Sequence, residues 1–422
     1  MFAAMLLSAA VTTSAPAVAG HWEGALQRGG ARLPVSFDFP ADDPGHGSFS
    51  CYDLGAIDVP LANVRADAAA HWELVGDSST LRFDGTVAGD ELDGSFTEDG
   101  IKGSFALHRT SPSTAKPYTE EEVTFQDGAV KLAGSVFAPR DAGPHPAILF
   151  VQGSGPEGRW ASKYLADYAA RHGMVALVYD KRGVGKSGGD WRTARLETLA
   201  ADARAGVDLL AHRTDVDPRR IGVYGHSQGG EIAPAIAQDN PQVAWLIAAD
   251  GPVGPEYRQD LFRVRNILAA HFSGLQLQDA EKLYREFVDV ARRGLSHDKL
   301  RTDIKAAGDA PWLDYLGIPG DGDWVWNFYK ATGNYDNRAA WAGVKVPVLI
   351  LFGGDDKLVS PQASVAQVTG ILKAHGNAHV TVRVFPGADH TLRLPPAVPG
   401  GWPHNAAGFP DIIVSFAQMP TG

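Results

Sequence analysis

Ile221-Gly222-Val223-Tyr224-Gly225-His226-Ser227-Gln228-Gly229-Gly230 is the stretch on which the fold turns. Four strand-forming positions run into the pattern G-x-S-x-G, and a helix is predicted from Glu231 onward. The pattern alone carries little weight in a chain with 48 glycines. Placed between a strand and a helix it is specific. Its glycines let the chain turn sharply and hold the Ser227 hydroxyl clear of the backbone. The following helix start offers N–H groups and a positive dipole end to a developing oxyanion.

The surrounding sequence keeps the same rhythm. Ala147–Val151 reads as a strand, Ser162–His172 as a helix and Met174–Tyr179 as the next strand. Leu196–Ala211 is amphipathic, with Leu196, Leu199, Ala203, Val207 and Leu210 on one face. Val243–Ala248, Val348–Phe352 and Val380–Phe385 are further apolar strands. Short apolar strands separated by helices predict an α/β fold: a mostly parallel sheet with helices on both faces. A hairpin, Glu122–Phe125 with Val130–Phe137, precedes it, turning at Asp127-Gly128. Between about residues 255 and 340 the rhythm breaks. That stretch is helical and carries Trp312, Trp324, Trp326, Phe328 and Tyr329, so it is expected to be a helical cap over the strand ends, where ligands bind.

A serine hydroxyl is a weak nucleophile at neutral pH. It needs a base within hydrogen-bond reach and an acid that orients the base. His390 lies in Phe385-Pro386-Gly387-Ala388-Asp389-His390-Thr391, directly after the last predicted strand. Asp356 lies in Gly353-Gly354-Asp355-Asp356-Lys357-Leu358-Val359, after the preceding one. The chain order Ser227, Asp356, His390 is the order of triads built on a strand–turn–helix elbow. Asp355 competes with Asp356, and the spacing G-x-x-D-x-x-V favours Asp356. Two backbone N–H donors are expected to form an oxyanion hole. One is Gln228, next to the nucleophile. The other is Ser154, with Gly155 as the alternative, in the loop Val151-Gln152-Gly153-Ser154-Gly155-Pro156. Asp180-Lys181-Arg182-Gly183-Val184-Gly185-Lys186-Ser187 lacks phosphate-loop spacing and reads as a turn with Asp180 and Arg182 in ion pairs. No residues have metal-ligand spacing and no dinucleotide fingerprint follows the first strand, so no metal and no cofactor are expected.

The length of 422 residues predicts more than one folded unit. Residues 20–110 look all-β, with Asp-Gly pairs at 84–85, 93–94 and 99–100 that suit hairpin turns. A small antiparallel sandwich or half-barrel is expected there, followed by a Ser/Thr/Pro linker at 111–118 and the catalytic domain at 119–422. Residues 1–19 read as an export signal, an apolar run ending in Ala17-Val18-Ala19, although no Lys or Arg precedes His21. Export to the periplasm or medium is the expectation. The net charge of −11 argues against nucleic-acid partners. No other apolar run has the roughly eighteen residues of a membrane span. Cys51, the single cysteine, permits no intrachain disulfide. Nothing in the sequence indicates an oligomeric state.

From about residue 120 to 415 the successive motifs GSGP, YDKRGVGKSGG, GHSQGG, FGGDD and PGADH resemble those of bacterial α/β-hydrolases. The N-terminal region, with Trp22-Glu23-Gly24 and Gly94-Ser95-Phe96, is similar to the β-rich domain that some exported members carry. The resemblance implies an α/β-hydrolase fold and a triad of Ser227, Asp356 and His390. Many relatives have His at the position of Gln152 and Glu at that of Gln228. Family members include carboxylesterases, serine aminopeptidases and acyl thioesterases. Hydrolysis of a small carboxylic ester is the leading expectation, with peptide or thioester cleavage by the same triad as the alternative. An aminopeptidase needs a carboxylate for the substrate amine, and Asp314, Asp321 and Asp323 are candidates. A binding protein that retains a hydrolase scaffold, with residues 20–110 as its working part, is the rival from another class.

Overall fold

Two patterns of hydrophobicity, period two before residue 111 and strand–helix alternation after it, build two separate compact units. The computed structural model describes residues 17–419 apart from 44, 66, 68, 77–78 and 112–115. Most of the expected signal segment and half of the expected linker therefore lie outside the described residues. One unit runs from the N-terminus to Thr114 and takes in Pro396–Trp402. The other comprises Ala115–Pro395 and Pro403–Gly422.

The first unit is one nine-stranded antiparallel sheet. The strand Gly20–Arg28 sits centrally, paired with Ala31–Phe39 on one side and Ile101–Thr110 on the other. The rings of Phe37 and Trp72 come within 5.4 Å although their strands are far apart in the sheet order, so the sheet curls on itself. Trp22, Phe37, Trp72, Phe83 and Phe96 are fully buried inside the curl. Each such ring contributes about 1.5–3 kcal/mol by burial. Val18 is also buried there, and its carbonyl accepts the Trp22 indole N–H at 2.7 Å. Pro396–Trp402 joins this unit through Arg28, which donates to the Gly400 and Gly401 carbonyls and stacks over Trp402.

The Asp-Gly turns are corrected in part. Asp99-Gly100 does turn, both residues having positive φ. Asp84-Gly85 and Asp93-Gly94 instead lie mid-strand, with Gly85 opposite Gly94. A Cβ at either would fall within 3 Å of the Phe105 ring, so these glycines make room for an aromatic side chain rather than for a reversal.

The second unit holds an eight-stranded sheet. Its strands are β1 (Tyr118–Asp127), β2 (Val130–Pro139), β3 (His145–Val151), β4 (Val175–Tyr179), β5 (Val216–His226), β6 (Val243–Ala249), β7 (Val348–Gly353) and β8 (Val380–Phe385), in spatial order 1-2-4-3-5-6-7-8. β1 and β2 form an antiparallel hairpin, β2 pairs antiparallel with β4, and the remaining pairings are parallel. β3 and β4 are buried on both faces, as a sheet sandwiched between helices requires. Helices α1 (Lys163–Arg171), α2 (Leu196–Ala211) and α3 (Gln228–Ala237) follow β3, β4 and β5. Five helices lie between β6 and β7: α4 (Glu256–Ala269), α5 (Gly274–Arg293), α6 (Asp298–Ala307), α7 (Trp324–Thr332) and α8 (Arg338–Gly343). They have their own core, including Phe287, Leu268 and Trp312. α9 (Pro361–Ala374) and α10 (Asp411–Ala417) complete the unit. Among the described residues no helix is long and apolar enough to cross a membrane.

Candidate active site

The C-terminal ends of β3 to β8 lead into the loops that carry every candidate residue. This is where an open α/β sheet offers a crevice to ligands. Ser227 follows β5 directly and precedes α3. Its φ of 53° and ψ of −118° are strained for a residue with a side chain. The strain is maintained by close backbone packing on both sides. A Cβ at Gly225 would meet the Gly229 carbonyl oxygen at 2.2 Å, and one at Gly229 would meet that of Val151 at 2.3 Å. Ser227 donates its N–H to the Ala249 carbonyl at 2.9 Å and accepts from the Glu231 N–H at 2.9 Å. The helix begins at Gln228, three residues before the predicted start, because the elbow itself forms its first turn.

Three of the predicted residues are joined in one chain of hydrogen bonds. Ser227 Oγ lies 2.9 Å from His390 Nε2, and His390 Nδ1 lies 2.7 Å from Asp356 Oδ2. Asp356 is buried, and its Oδ1 accepts from the N–H groups of Leu358 and Val359 at 2.7 and 2.9 Å. These bonds hold the carboxylate in one orientation. Asp355 is exposed and makes no side-chain contact with His390; its N–H goes to the Ala388 carbonyl. The loop that carries His390 is braced by Asp389, whose Oδ1 accepts from the Thr391 and Arg393 N–H groups.

Sequence reasoning passed over His226, the first variable position of the motif. Its Nε2 donates to the His390 carbonyl at 2.9 Å, and the two rings are 5.1 Å apart. Burial, reinforced by the neighbouring His390, holds its pKa down to about 4, so it is neutral at physiological pH. It ties the elbow to the histidine loop without adding charge.

The loop after β3 is held from below by a second residue without a predicted role. Lys181 is buried, and its ammonium donates to the Gly153 carbonyl, to the Gly155 carbonyl at 3.0 Å and to Gln228 Oε1 at 3.4 Å. Burial pulls its pKa down to about 8, which leaves it mostly charged at neutral pH. The Gly153 N–H is itself taken, by Glu157 Oε2 at 2.7 Å. A trans peptide points its carbonyl and N–H to opposite sides. Pinning the Gly153 carbonyl on Lys181 therefore turns the Ser154 N–H away from Lys181. A Cβ at Gly153 would lie 3.4 Å from that of Ser227, so this peptide borders Ser227. The Gln228 N–H, at the first position of α3, has no partner one turn back. Gln152 is buried and donates to the Tyr179 carbonyl, a structural rather than substrate-facing place.

The rest of the YDKRGVGKSGG segment is a brace. Asp180 takes three bonds from Arg159, one from its backbone N–H and two from its guanidinium, and Arg182 takes up Asp202 at 2.7 and 2.6 Å and Asp127 at 3.0 Å. The aromatic residues between β6 and β7 divide into two groups. Trp312 and Trp326 pack into the core of the helices there, whereas Trp324 and Phe328 meet Trp191, with ring centroids 5.2 and 5.9 Å apart. α4 is anchored to the loop that carries Asp356, Gln259 and Asn266 donating to the Leu358 and Lys357 carbonyls at 2.9 Å. Of the carboxylates considered for a substrate amine, Asp321 is occupied by Arg301 and His297, and Asp323 caps α7 through the Val325 N–H.

The sheet order, the elbow after β5 and the positions of the site loops define the α/β-hydrolase fold, with an additional N-terminal β-rich unit. The chain belongs to the serine aminopeptidase, S33, family, whose model matches residues 142–394. It is 32% identical over 137 residues to an uncharacterized protein of Mycobacterium tuberculosis, covering 32% of this chain and 47% of that protein, so it spans about half the length of that relative. It is 25% identical over 308 residues to esterase EstD of Thermotoga maritima, covering 70% of this chain and 67% of EstD. A solved esterase of Pyrococcus furiosus is 20% identical, covers 67% of this chain and 87% of its own, and superposes with a TM-score of 0.46.

Proposed function

We propose that Ser227, His390 and Asp356 are a catalytic triad that hydrolyses small carboxylic esters through an acyl-enzyme. The observation that carries this reading is the unbroken hydrogen-bond chain from Ser227 Oγ through His390 to buried Asp356. Ser227 Oγ attacks the acyl carbon while His390 Nε2 takes its proton. Asp356 stabilises the imidazolium and keeps its ring oriented. The charge that forms on the carbonyl oxygen is received by the Ser154 and Gln228 amides. Collapse expels the alcohol, protonated by His390, and leaves an ester on Ser227. Water, deprotonated by His390, then releases the acid. Trp191, Trp324 and Phe328 offer an apolar wall for the acyl or alcohol group. The similarity to an esterase over 70% of the chain favours an ester over other acyl substrates.

The test is turnover of p-nitrophenyl esters of graded chain length, with Ser227→Ala as control. Loss of turnover in the folded variant is expected; full turnover there would end this mechanism. The family description favours a second reading, release of an N-terminal amino acid. The prior commitment of Asp321 and Asp323 weighs against it and leaves exposed Asp314, at the start of the short helix Asp314–Leu316, as its one carboxylate of the three considered. Aminoacyl arylamides and acyl thioesters in the same assay separate the three substrates.

Export remains part of the proposal. A cut after Ala19 would remove Val18 and its bond to Trp22. N-terminal sequencing of protein recovered outside the cytoplasm tests it: Gly20 as first residue supports that site, and a full-length cytoplasmic product contradicts export.

A further inference from the structure

Asp250 follows β6 directly and plays no part in the mechanism above. It is fully buried, and its φ of 51° is a left-handed conformation that a residue with a side chain adopts at a cost. Two bonds maintain it. Its N–H donates to the Leu351 carbonyl at 2.8 Å, and its Oδ1 accepts from the Gly353 N–H at 2.8 Å. Its other oxygen, Oδ2, receives no N–H or O–H donor. Carboxylate oxygens of Asp250 and Asp356 and a ring nitrogen of His390 all lie within 4.8 Å of one another.

Two buried carboxylates this close cannot both be ionised at neutral pH; one keeps a proton. The donors around them decide which. Asp356 receives three N–H groups, from Leu358, Val359 and His390, whereas Asp250 receives one, from Gly353. The proton therefore rests on Asp250. Burial first, and then the nearby Asp356 and Asp389 carboxylates, push the Asp250 pKa well up, in the same direction.

Building on the triad assigned above, we propose that Asp250 is a positioning residue of the hydrolytic site: a neutral carboxylic acid behind the triad acid, and a second acceptor for His390 Nδ1 when the Asp356 carboxylate is absent. In the intact enzyme its O–H faces the Asp356 carboxylate and limits that group's freedom to turn from His390. When Asp356 is shortened to alanine, a like charge that adds to burial in keeping Asp250 protonated is gone, and the His390 N–H it held is free to stabilise an ionised Asp250. Asp250 then ionises and takes over the imidazole N–H from the end of the neighbouring strand.

The experiment measures kcat on a p-nitrophenyl ester for Asp356→Ala, for Asp356→Ala combined with Asp250→Asn, and for Ser227→Ala as background. Asparagine keeps the size and the Oδ1 acceptor for Gly353 but cannot carry charge. Loss of a triad acid's charge costs about 10⁴-fold in the worked serine-protease case. Asp356→Ala is expected to fall by only about 10²-fold, and the double variant by about a further 10²-fold. The downfield NMR signal of a His390 Nδ1 proton should persist in the single variant and vanish in the double. Because asparagine can still donate to Asp356, Asp250→Asn in the wild-type background should retain at least about tenfold more activity than Asp250→Leu. An Asp356→Ala rate at the Ser227→Ala background overturns the proposal, as does a double variant equal to Asp356→Ala. Those results leave the triad standing; full activity in Ser227→Ala would remove the triad and the proposal together.

Discussion

Replacing Lys181 with methionine removes the charge that fixes the Gly153–Ser154 peptide while keeping most of the side-chain volume. Lys181 holds the Gly153 carbonyl and, at 3.0 Å, the Gly155 carbonyl on either side of the Ser154 amide. A hydrogen bond to a charged group contributes about 1.5–3 kcal/mol. Loss of about 2 kcal/mol from the Gly153 carbonyl alone changes the population of the productive peptide orientation by about 30-fold. Loss at both carbonyls raises the effect toward the ceiling set by deleting one oxyanion donor, about 10²–10³ in kcat. The expected result for Lys181→Met is a fall in kcat of about 10²-fold with KM changed much less, because the oxyanion forms after substrate binds. The fold should survive, since relief from burying an ammonium offsets part of the unpartnered carbonyls. Steady-state kinetics on a p-nitrophenyl ester, with circular dichroism to establish folding, measures both. A folded Lys181→Met enzyme with kcat within about threefold of wild type would refute the reasoning.

Further consequences follow from neighbouring residues. Gly229→Ala would force its Cβ to 2.3 Å from the Val151 carbonyl oxygen, so the elbow must shift and activity should be lost; a variant of wild-type rate would contradict this. Arg182→Met leaves Asp202 buried without its partner and should lower stability by about 3–5 kcal/mol, read from urea unfolding, with little change in KM. His226 is held neutral by a pKa lowered to about 4 against 6.5 in the unfolded chain. The unfolded state thus binds the extra proton first, and stability falls as pH drops from about 6.5 to 4, by up to about 3 kcal/mol. His226→Gln should flatten that part of the stability profile; an unchanged acid slope would show that His226 is not its source. Trp324→Ala should shift preference among ester chain lengths through its contact with Trp191, and an unchanged preference would place the substrate elsewhere.

How far the sequence could be read depended on whether a residue's role was local. Leu196–Ala211 was predicted with the bounds it has, since its apolar residues recur at helical spacing on one buried face. Ser227, Asp356 and His390 stood out because each follows an apolar strand in a short motif. The start of α3 was misplaced because Gly229 and Gly230 are poor helix formers, and tight packing against β3 overrides their propensity. Gly85 and Gly94 were misread as turn residues because the Phe105 ring that requires them comes from a third strand. Lys181, His226 and Asp250 act through partners 28, 164 and 106 positions away, at Gly153, His390 and Asp356 respectively. No spacing rule links such pairs. Only the sheet order brings the ends of β3 to β8 together, and parallel pairing is not encoded in any local window.

The central claim, that Ser227 is the nucleophile, is tested most directly by covalent trapping. The intact protein would be mixed with an organophosphorus ester and its peptides analysed by mass spectrometry. The account predicts one phosphoryl adduct, on Ser227, absent from His390→Ala at short times because the base is missing. A protein left unmodified, or modified at another serine, would contradict it.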